Sequence, residues 1–559
     1  MPPKLPIGLS DFRQVREAGF YYVDKTSLVS EVLELDAQVV LLPRPRRFGK
    51  TLNLSMLRYF LERSSEDLSP LFADLAVWRA EAARQHFQRY PVIFLTLKDV
   101  KHSSFSDCLE KMTELIAALY RDHEPALSSL PLSSEERERI GRILDGTASE
   151  VAYQGALGQL SAYLARAHRE RVIMLIDEYD TPIHAGFMGG YYDRAVEFFR
   201  NFLSGGLKDN PHLFKGVMTG ILRVARENIF SGLNNISVHS LLDREFATAF
   251  GFTEAEVEAL TGTLGRPDLM EPLRRWYNGY HFGGQVIYNP WSVLNFARSP
   301  DTGPQPYWVF TSSEDILRQL VLGRGPEVLE VFEALLKGET VRQRISEHLV
   351  LRDVAERPDA VWTLLLFSGY LTARSASLEE GRWYADLSIP NAELRYVFEE
   401  SITSWAASGL GGGERLAGML KAMLAGEPEI FEQRLSELVL RTFSYHDTGA
   451  GEPERVYQAF VLGMLVLLMP EYEVRSNRES GLGRYDVMVL PRQPGRPGVV
   501  LELKEAGGAT EEAVERALEA ALQQIEAKGY AEELRARGAA PILGYGVVFD
   551  GKRVWVRKG

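Results

Sequence analysis

Unbroken apolar runs, rather than alternating ones, frame the first half of the chain. Val39 to Leu42, residues 91–97 (PVIFLTL), Val172 to Ile176 and residues 213–220 (LFKGVMTG) each read as a strand buried on both faces. Between them, apolar residues recur at helical spacing: in LNLSMLRYFLER after Thr51, from Phe105 to Tyr120, over 151–170 and over 191–205. The Ser-rich, charged stretch 127–139 reads as a loop leading into a helix. Strands alternating with helices predict an α/β fold with a mainly parallel sheet. Ahead of the first strand, Tyr22-Val23 reads as a short extended piece, and Asp24 as the N-cap of a following helix.

The pattern changes downstream. Residues 228–240 read as a polar, turn-rich loop. Residues 253–297 are mostly helical, interrupted by WYNGYHFGG (276–284), whose aromatics and glycines predict a tight turn in the core. Residues 361–401 read as helix, hairpin, helix, a winged-helix-like unit. The glycines of SGLGGGERL (408–416) mark a linker. After it, 461–469 reads as an apolar helix and 472–491 as two strands turning at SGLG. VVLELKEA (499–506) reads as a third strand, 511–534 as a helix and 541–556 as a hairpin turning at Asp550-Gly551.

Two stretches carry phosphate chemistry in the first half. AQVVLLPRPRRFGKT (37–51) runs strand, loop, Gly49-Lys50-Thr51, helix. A glycine lets backbone wrap phosphate oxygens, a lysine reaches the β- and γ-phosphates, and a hydroxyl serves Mg²⁺. The helix N-terminus adds partial positive charge. Arg44 stands where the full pattern has its first glycine. The second stretch is the strand ending in Asp177-Glu178. There Asp177 is the candidate Mg²⁺ partner and Glu178 the candidate polariser of the attacking water. Thr219, at the end of the neighbouring strand, is placed to sense the γ-phosphate. Arg223 just beyond it is placed to reach a phosphate in the same chain or a neighbour.

A separate constellation lies near the C-terminus. Glu502 and Lys504 share one face of a strand, two residues apart. The preceding hairpin brings Asp486 beside them. Two carboxylates suit a divalent cation, and the lysine can orient water and offset phosphate charge. Their flanks, Val499, Val500, Leu501 and Leu503, want full burial, and a buried Glu-Lys face needs a reason. On the next helix, Gln524 is a candidate hydrogen-bond partner at the metal site or for phosphate.

Composition narrows the partners. The chain has 559 residues, 45% hydrophobic and 25% charged, as expected for globular domains. Its length suggests about three to four domains. Lys+Arg 63 against Asp+Glu 76 gives −13, which argues against generic coating of nucleic acid but leaves room for a local basic groove. One cysteine, Cys108, excludes an intramolecular disulfide framework and a cysteine-based zinc site. No secretory signal and no 18-residue apolar run is evident, so the sequence reads as a soluble, cytoplasmic protein without membrane contact.

PIGLSDF, YYVDKT, RPRRFGKT, LIDEYDTPI, FSGLNN, WYNGYHFG, YNPWSVLNF, GRYDVMV, LELK and ALQQIEAKGY occur in order along nearly the whole chain. With these words the chain resembles bacterial AAA-ATPase-like proteins that carry a C-terminal PD-(D/E)XK nuclease-superfamily domain. The resemblance implies a P-loop domain of the AAA/ASCE type over 1–240, a helical lid and winged-helix-like region over 241–410, and a restriction-endonuclease-like α/β domain over 411–559. It implies ATP and Mg²⁺ as cofactors, with Mn²⁺ an alternative at the nuclease site. Nucleotide would be held by Arg46, Arg47, Gly49, Lys50, Thr51, Asp177, Thr219 and Arg223, with Glu178 catalytic. In the nuclease, Asp486 and Glu502 would hold metal, with Lys504 and Gln524 beside them. The superfamily's Gln-x-x-x-Tyr element is altered here: Lys528 stands at the tyrosine position and Tyr530 two residues later. Glu454 is the candidate helix-borne acid. Partners implied are nucleic acid, DNA before RNA, and further copies of the chain. The expected function is an ATP-gated, metal-dependent nuclease, with phage defence or mobile elements as its setting; the rivals are a nucleotide-operated switch or scaffold and a remodelling motor.

Overall fold

The computed structural model describes residues 3–221, 235–308, 326–336, 338–346, 351, 357–400, 413–442, 461, 465, 468, 471–476, 479–480, 483–484, 486–506, 510–527, 530–550 and 553–559. The chain divides into two compact units. The first is Met1–Thr311 with Arg342–Glu393, the second Ser312–Val341 with Leu394–Gly559.

The first unit is built on a parallel sheet. Its strands are β1 (Val39–Pro43), β2 (Val92–Thr96), β3 (Val172–Asp177), β4 (Leu213–Gly220) and β5 (Ile236–Val238), in the order β2-β3-β4-β1-β5. Every residue of β1 and β3 is buried, as their unbroken apolar runs predict. Lys215 breaks the apolar run of β4, and its ammonium donates to the carbonyls of Leu35 (2.6 Å) and Ala37 (2.9 Å). The register sets Leu42 beside Thr219 on one side of β4's end, and Thr96 beside Asp177 on β3. The carboxyl ends of these strands therefore meet at one edge, where open α/β sheets bind ligands.

Two local readings need correction. Asp24 does not cap the helix Ser27–Glu34; Thr26 holds the N-cap position. Asp24 instead accepts from the amide (2.9 Å) and hydroxyl (2.6 Å) of Thr26 and from the Ala76 amide (2.7 Å), tying this strap to the start of the short helix Ala76–Arg79. Residues 236–238, read as loop, form the edge strand β5, which pairs parallel to β1. Three residues of mixed polarity give no periodic signal.

Helices Glu254–Thr263, Met270–Tyr277 and Pro290–Arg298 surround a small sheet of β6 (Phe252–Thr253), β7 (Tyr280–Phe282) and β8 (Gln285–Tyr288). The first helix opens on a Thr253–Glu256 capping box, the last on the Asn289 side chain. The WYNGYHFGG interruption is thus an antiparallel hairpin. Gly279 has φ +89°, and a Cβ there would lie 2.1 Å from the Pro390 carbonyl oxygen, so no side chain fits. The helix Pro358–Ser368, the hairpin β10 (Thr372–Glu379) to β11 (Arg382–Ser388), and a helical run over 392–400 follow the expected order. A third strand, β9 (Val341–Ile345), pairs with β11.

The second unit holds a mixed sheet. After β12 (Tyr472–Ser476) comes a two-stranded ribbon of β13 (Glu479–Ser480) and β14 (Gly483–Arg484). Then β15 (Val487–Pro491), β16 (Gly498–Glu505), β17 (Ile542–Asp550) and β18 (Arg553–Lys558) complete the order β12-β15-β16-β17-β18. Only β16 and β17 run parallel. Side chains alternate on β16. Val499, Leu501 and Leu503 enter the core shared with helices Gly413–Ala425 and Pro428–Thr442. Val500 packs on the opposite face with Met488, Tyr530 and Leu534. Glu502 and Lys504 belong to that second face. Among the described residues no helix is long and apolar enough to cross a membrane.

Candidate functional site

The phosphate-loop segment is fastened from several sides. Arg44 is fully buried beneath it. Its guanidinium donates to the carbonyls of Pro43 (2.8 Å), His239 (2.8 Å) and Phe246 (3.0 Å) and lies over the rings of Phe250 and Phe282. Burial pushes its pKa down to about 10. The residue replacing the first motif glycine is therefore a structural peg. Phe48 sits against Tyr280 (5.0 Å between ring centroids) and Phe282 (5.1 Å). The Arg46 carbonyl accepts from the Trp308 indole at 3.3 Å. Arg47 is held at φ +69°, with its guanidinium 4.3 Å from the Trp291 ring centroid. A non-glycine residue in that region persists only where its surroundings over-determine it.

Gly49, at φ +85°, turns the chain into the helix Lys50–Leu61. Lys50 donates to the carbonyls of Arg44 and Pro45, both at 3.2 Å, and stands 3.3 Å from a Glu178 carboxylate oxygen. Asp177 is fully buried. One of its oxygens accepts from the Thr51 hydroxyl and the other from the Thr219 hydroxyl, each at 2.7 Å. Glu178 is at φ +53°. The turn carrying it is clamped by Tyr179 N–H to the Thr219 carbonyl (3.0 Å) and by Ile221 N–H to the Asp180 carboxylate (2.9 Å).

These groups border a cleft of about 450 Å³. Arg46, Arg47, Gly49, Lys50, Thr51 and Glu178 line it, together with Lys98 and Lys101 from the segment after β2. Ile7, Tyr21, Val23, Trp291 and Leu294 give it an apolar side. Thr219 and Asp177 meet below the lining, and Arg223 lies outside the described residues. Cations, a helix N-terminus and an apolar wall suit a nucleoside triphosphate. The Thr51 hydroxyl and the Asp177 carboxylate are hard oxygen donors that fit Mg²⁺.

The C-terminal constellation assembles at the β15–β16 pairing. Asp486 immediately precedes β15 and accepts from the Leu503 amide at 2.8 Å. Glu502 is fully buried. One of its oxygens accepts from Lys504 at 2.9 Å; the other is buried without a hydrogen-bond partner. Burial, then the nearby Asp486 charge, pushes the Glu502 pKa up to about 7, against the opposing pull of Lys504. Burial also raises Asp486, against the Leu503 amide. An open carboxylate oxygen facing a second carboxylate fits a divalent cation. Mg²⁺ commonly takes one or two carboxylates and keeps waters. Among the described residues no group of three or more His, Cys, Asp or Glu gathers as a metal site, so the carboxylates here act as a pair.

Gln524, on the helix Glu511–Ala527, hydrogen-bonds the Tyr530 hydroxyl, which lies in the field of Glu502, Asp486 and Lys504. Tyr530 is fully buried. Despite the altered spacing, Tyr530 thus lies near the trio, with Gln524 on its hydroxyl. Lys528 and Glu454 lie outside the described residues. Sequence reasoning assigned no role to Trp291, Trp308 or Glu393. Trp291 falls in the quoted word YNPWSVLNF, but nothing in the words near Trp308 and Glu393 marks a tryptophan or an acid that braces a loop 260 or more residues away.

Residues 6–230 match the family model described as a predicted AAA-ATPase, and residues 452–559 match that of the PD-(D/E)XK nuclease superfamily. The chain is also 27% identical over 560 residues to a protein of Azotobacter chroococcum mcd 1 described as an uncharacterized protein in the vnfD 5' region. That similarity spans 98% of this chain and 96% of the relative. The chain thus joins an AAA-ATPase-like domain to a PD-(D/E)XK nuclease-superfamily domain, in the order its motifs imply.

Proposed function

We propose that the protein is an ATP-regulated, metal-dependent nuclease. ATP binding and hydrolysis in the first unit would gate phosphodiester hydrolysis in the second. The observation that supports this is two side-chain clusters suited to phosphate chemistry in one chain: Lys50, Thr51, Asp177 and Glu178 in one, Asp486, Glu502 and Lys504 in the other.

In the first site, Lys50 would leave Glu178 for the β- and γ-phosphates. Thr51 and Asp177 would hold Mg²⁺, and Glu178 would orient the attacking water. In the second, Asp486 and Glu502 would hold the cation, Mg²⁺ or Mn²⁺. A cation bound there supplies Lewis-acid stabilisation of charge on the phosphoryl oxygens. Lys504 would orient the water and offset charge on the scissile phosphate, and Gln524 with Tyr530 would keep the trio in place. DNA is the favoured substrate over RNA. Assembly into a homo-oligomer would let Arg223 act on a neighbour's nucleotide, and phage defence or mobile-element biology is the setting such a domain pairing fits.

The test is a nuclease assay on the full chain with Mg²⁺ or Mn²⁺, on single- and double-stranded DNA and RNA. It is run with ATP, with a non-hydrolysable analogue and without nucleotide, and Glu502→Ala is the control. Cutting that depends on nucleotide and vanishes in the control supports the reading. ATP binding without cutting under any condition favours a nucleotide-operated switch instead.

A further inference from the structure

The chain passes out of the first unit twice, after Thr311 and after Glu393, and returns once, at Arg342. Both exits are tied together inside that unit. Glu393, its last residue, is fully buried. Its carboxyl accepts from the Trp308 amide (2.8 Å), three residues before the first exit, and from the Ser292 hydroxyl (2.9 Å). Trp308 in turn donates its indole N–H to the carbonyl of Arg46 on the phosphate loop. Ser292 follows Trp291, whose ring carries the Arg47 guanidinium. One buried acid therefore holds Trp308 directly and the helix start at Trp291 through Ser292, and each tryptophan holds one arginine of the phosphate loop. The segment reaching Glu393 is fixed as well. Asn391 donates to the Asn278 carbonyl (2.7 Å), and the Pro390 carbonyl packs on Gly279.

We propose that Glu393 and Trp308 form the joint through which the nucleotide site acts on the second unit. This rests on the nucleotide-gated reading above and names the route of the gating. A movement of the loop carbonyl at Arg46 when phosphate binds is passed to Trp308, from Trp308 to Glu393, and so to both outgoing stretches of chain at once. A tryptophan pinned at both its amide and its indole transmits such a shift rather than absorbing it. A coupling of this kind requires an element whose arrangement both sites bias.

The test is hydrogen exchange on the full chain with Mg²⁺, with and without an ATP analogue whose β–γ bridge cannot be hydrolysed. It compares wild type, Trp308→Phe, Glu393→Ala and Glu393→Gln. Trp308→Phe keeps an aromatic ring but removes the indole donor and part of the indole's buried bulk. In wild type and Glu393→Gln, the analogue is expected to change exchange over 394–400 by about threefold or more. In Trp308→Phe and Glu393→Ala that response is expected to fall by at least about half, while the analogue's Kd stays within about threefold. A response that survives both variants overturns the joint. So does a Kd that weakens in step with the response, because the pair then serves only the nucleotide site. The two readings fail separately: a wild type that responds at 394–400 but never cuts overturns the nuclease assignment alone, and nucleotide-dependent cutting without a response there overturns the joint alone.

Discussion

The Lys50 ammonium stands 3.3 Å from a carboxylate oxygen of Glu178, so the two groups expected to act on ATP neutralise each other. Lys50 is 3% exposed and Glu178 21%, which places the pair between surface and core. Phosphate must displace Glu178 to reach Lys50. Removing the competing carboxylate, worth about 1 kcal/mol at such a site, should tighten ATP binding roughly fivefold. Glu178→Gln is therefore expected to bind ATP more tightly and to turn it over at least about a hundredfold more slowly. Titration with a fluorescent nucleotide and a phosphate-release assay check the two halves. Weaker binding in this variant would mean that the ion pair organises the cleft rather than blocking it.

Asp177 depends on two hydroxyls, those of Thr51 and Thr219. Thr219→Val keeps the shape of the side chain but leaves one buried carboxylate oxygen without its donor. That loss should destabilise the first unit by about 1–3 kcal/mol. Turnover should fall as well, because Asp177 is then free to reorient. Urea unfolding compared between wild type and the valine variant gives the first quantity, and ATP hydrolysis the second. Equal stability would show that the Thr219 hydroxyl contributes little to holding Asp177.

Tyr530 lies beside the C-terminal trio, and Gln524 hydrogen-bonds its hydroxyl. Tyr530→Phe keeps the buried ring and removes the hydroxyl. Cutting should fall about tenfold in Tyr530→Phe and in Gln524→Ala, and by little more in the double variant, because groups in one hydrogen-bond network do not add. ATP hydrolysis should be unchanged in all three. Additive losses in the double variant would separate the two side chains into independent roles.

The strands of the first unit were legible because a strand buried on both faces must be an unbroken apolar run, and β1, β3 and β4 are such runs or nearly so. The meeting of Asp486, Glu502 and Lys504 was legible for a related reason. Period-two alternation puts residues 502 and 504 on one face, and a hairpin has few ways to place its neighbour. The buried peg made by Arg44 was not legible. An arginine in a basic, glycine-poor loop looks like a phosphate ligand, and only His239, Phe246 and Phe250, some 200 residues away, reveal that it points inward. The bracing of the loop by Trp291, Trp308 and Glu393 was hidden for the same cause. It consists of single contacts between distant segments, which leave no local pattern.

Glu393 also sets a pH dependence. Its carboxyl is pushed up from 4.5 to about 8, first by burial and against the Trp308 amide and the Ser292 hydroxyl. The other titratable groups facing it are Tyr277 and Tyr280, whose own pKa values burial raises further above neutral. Between pH 4.5 and 8 the folded chain thus keeps a proton that the unfolded chain releases. Stability from this group is fully present below the unfolded pKa and is lost as pH rises through the folded one. The loss is at most about 5 kcal/mol. Glu393→Gln mimics the neutral acid without the titration. Near pH 5 it should match wild type in protecting the Trp308 amide during urea unfolding. Near pH 8.5 it should be the more stable of the two, by an amount on the order of 2–5 kcal/mol. Parallel pH profiles for the two proteins would mean that Glu393 stays ionised throughout, its charge carried by the Ser292 and Trp308 donors alone.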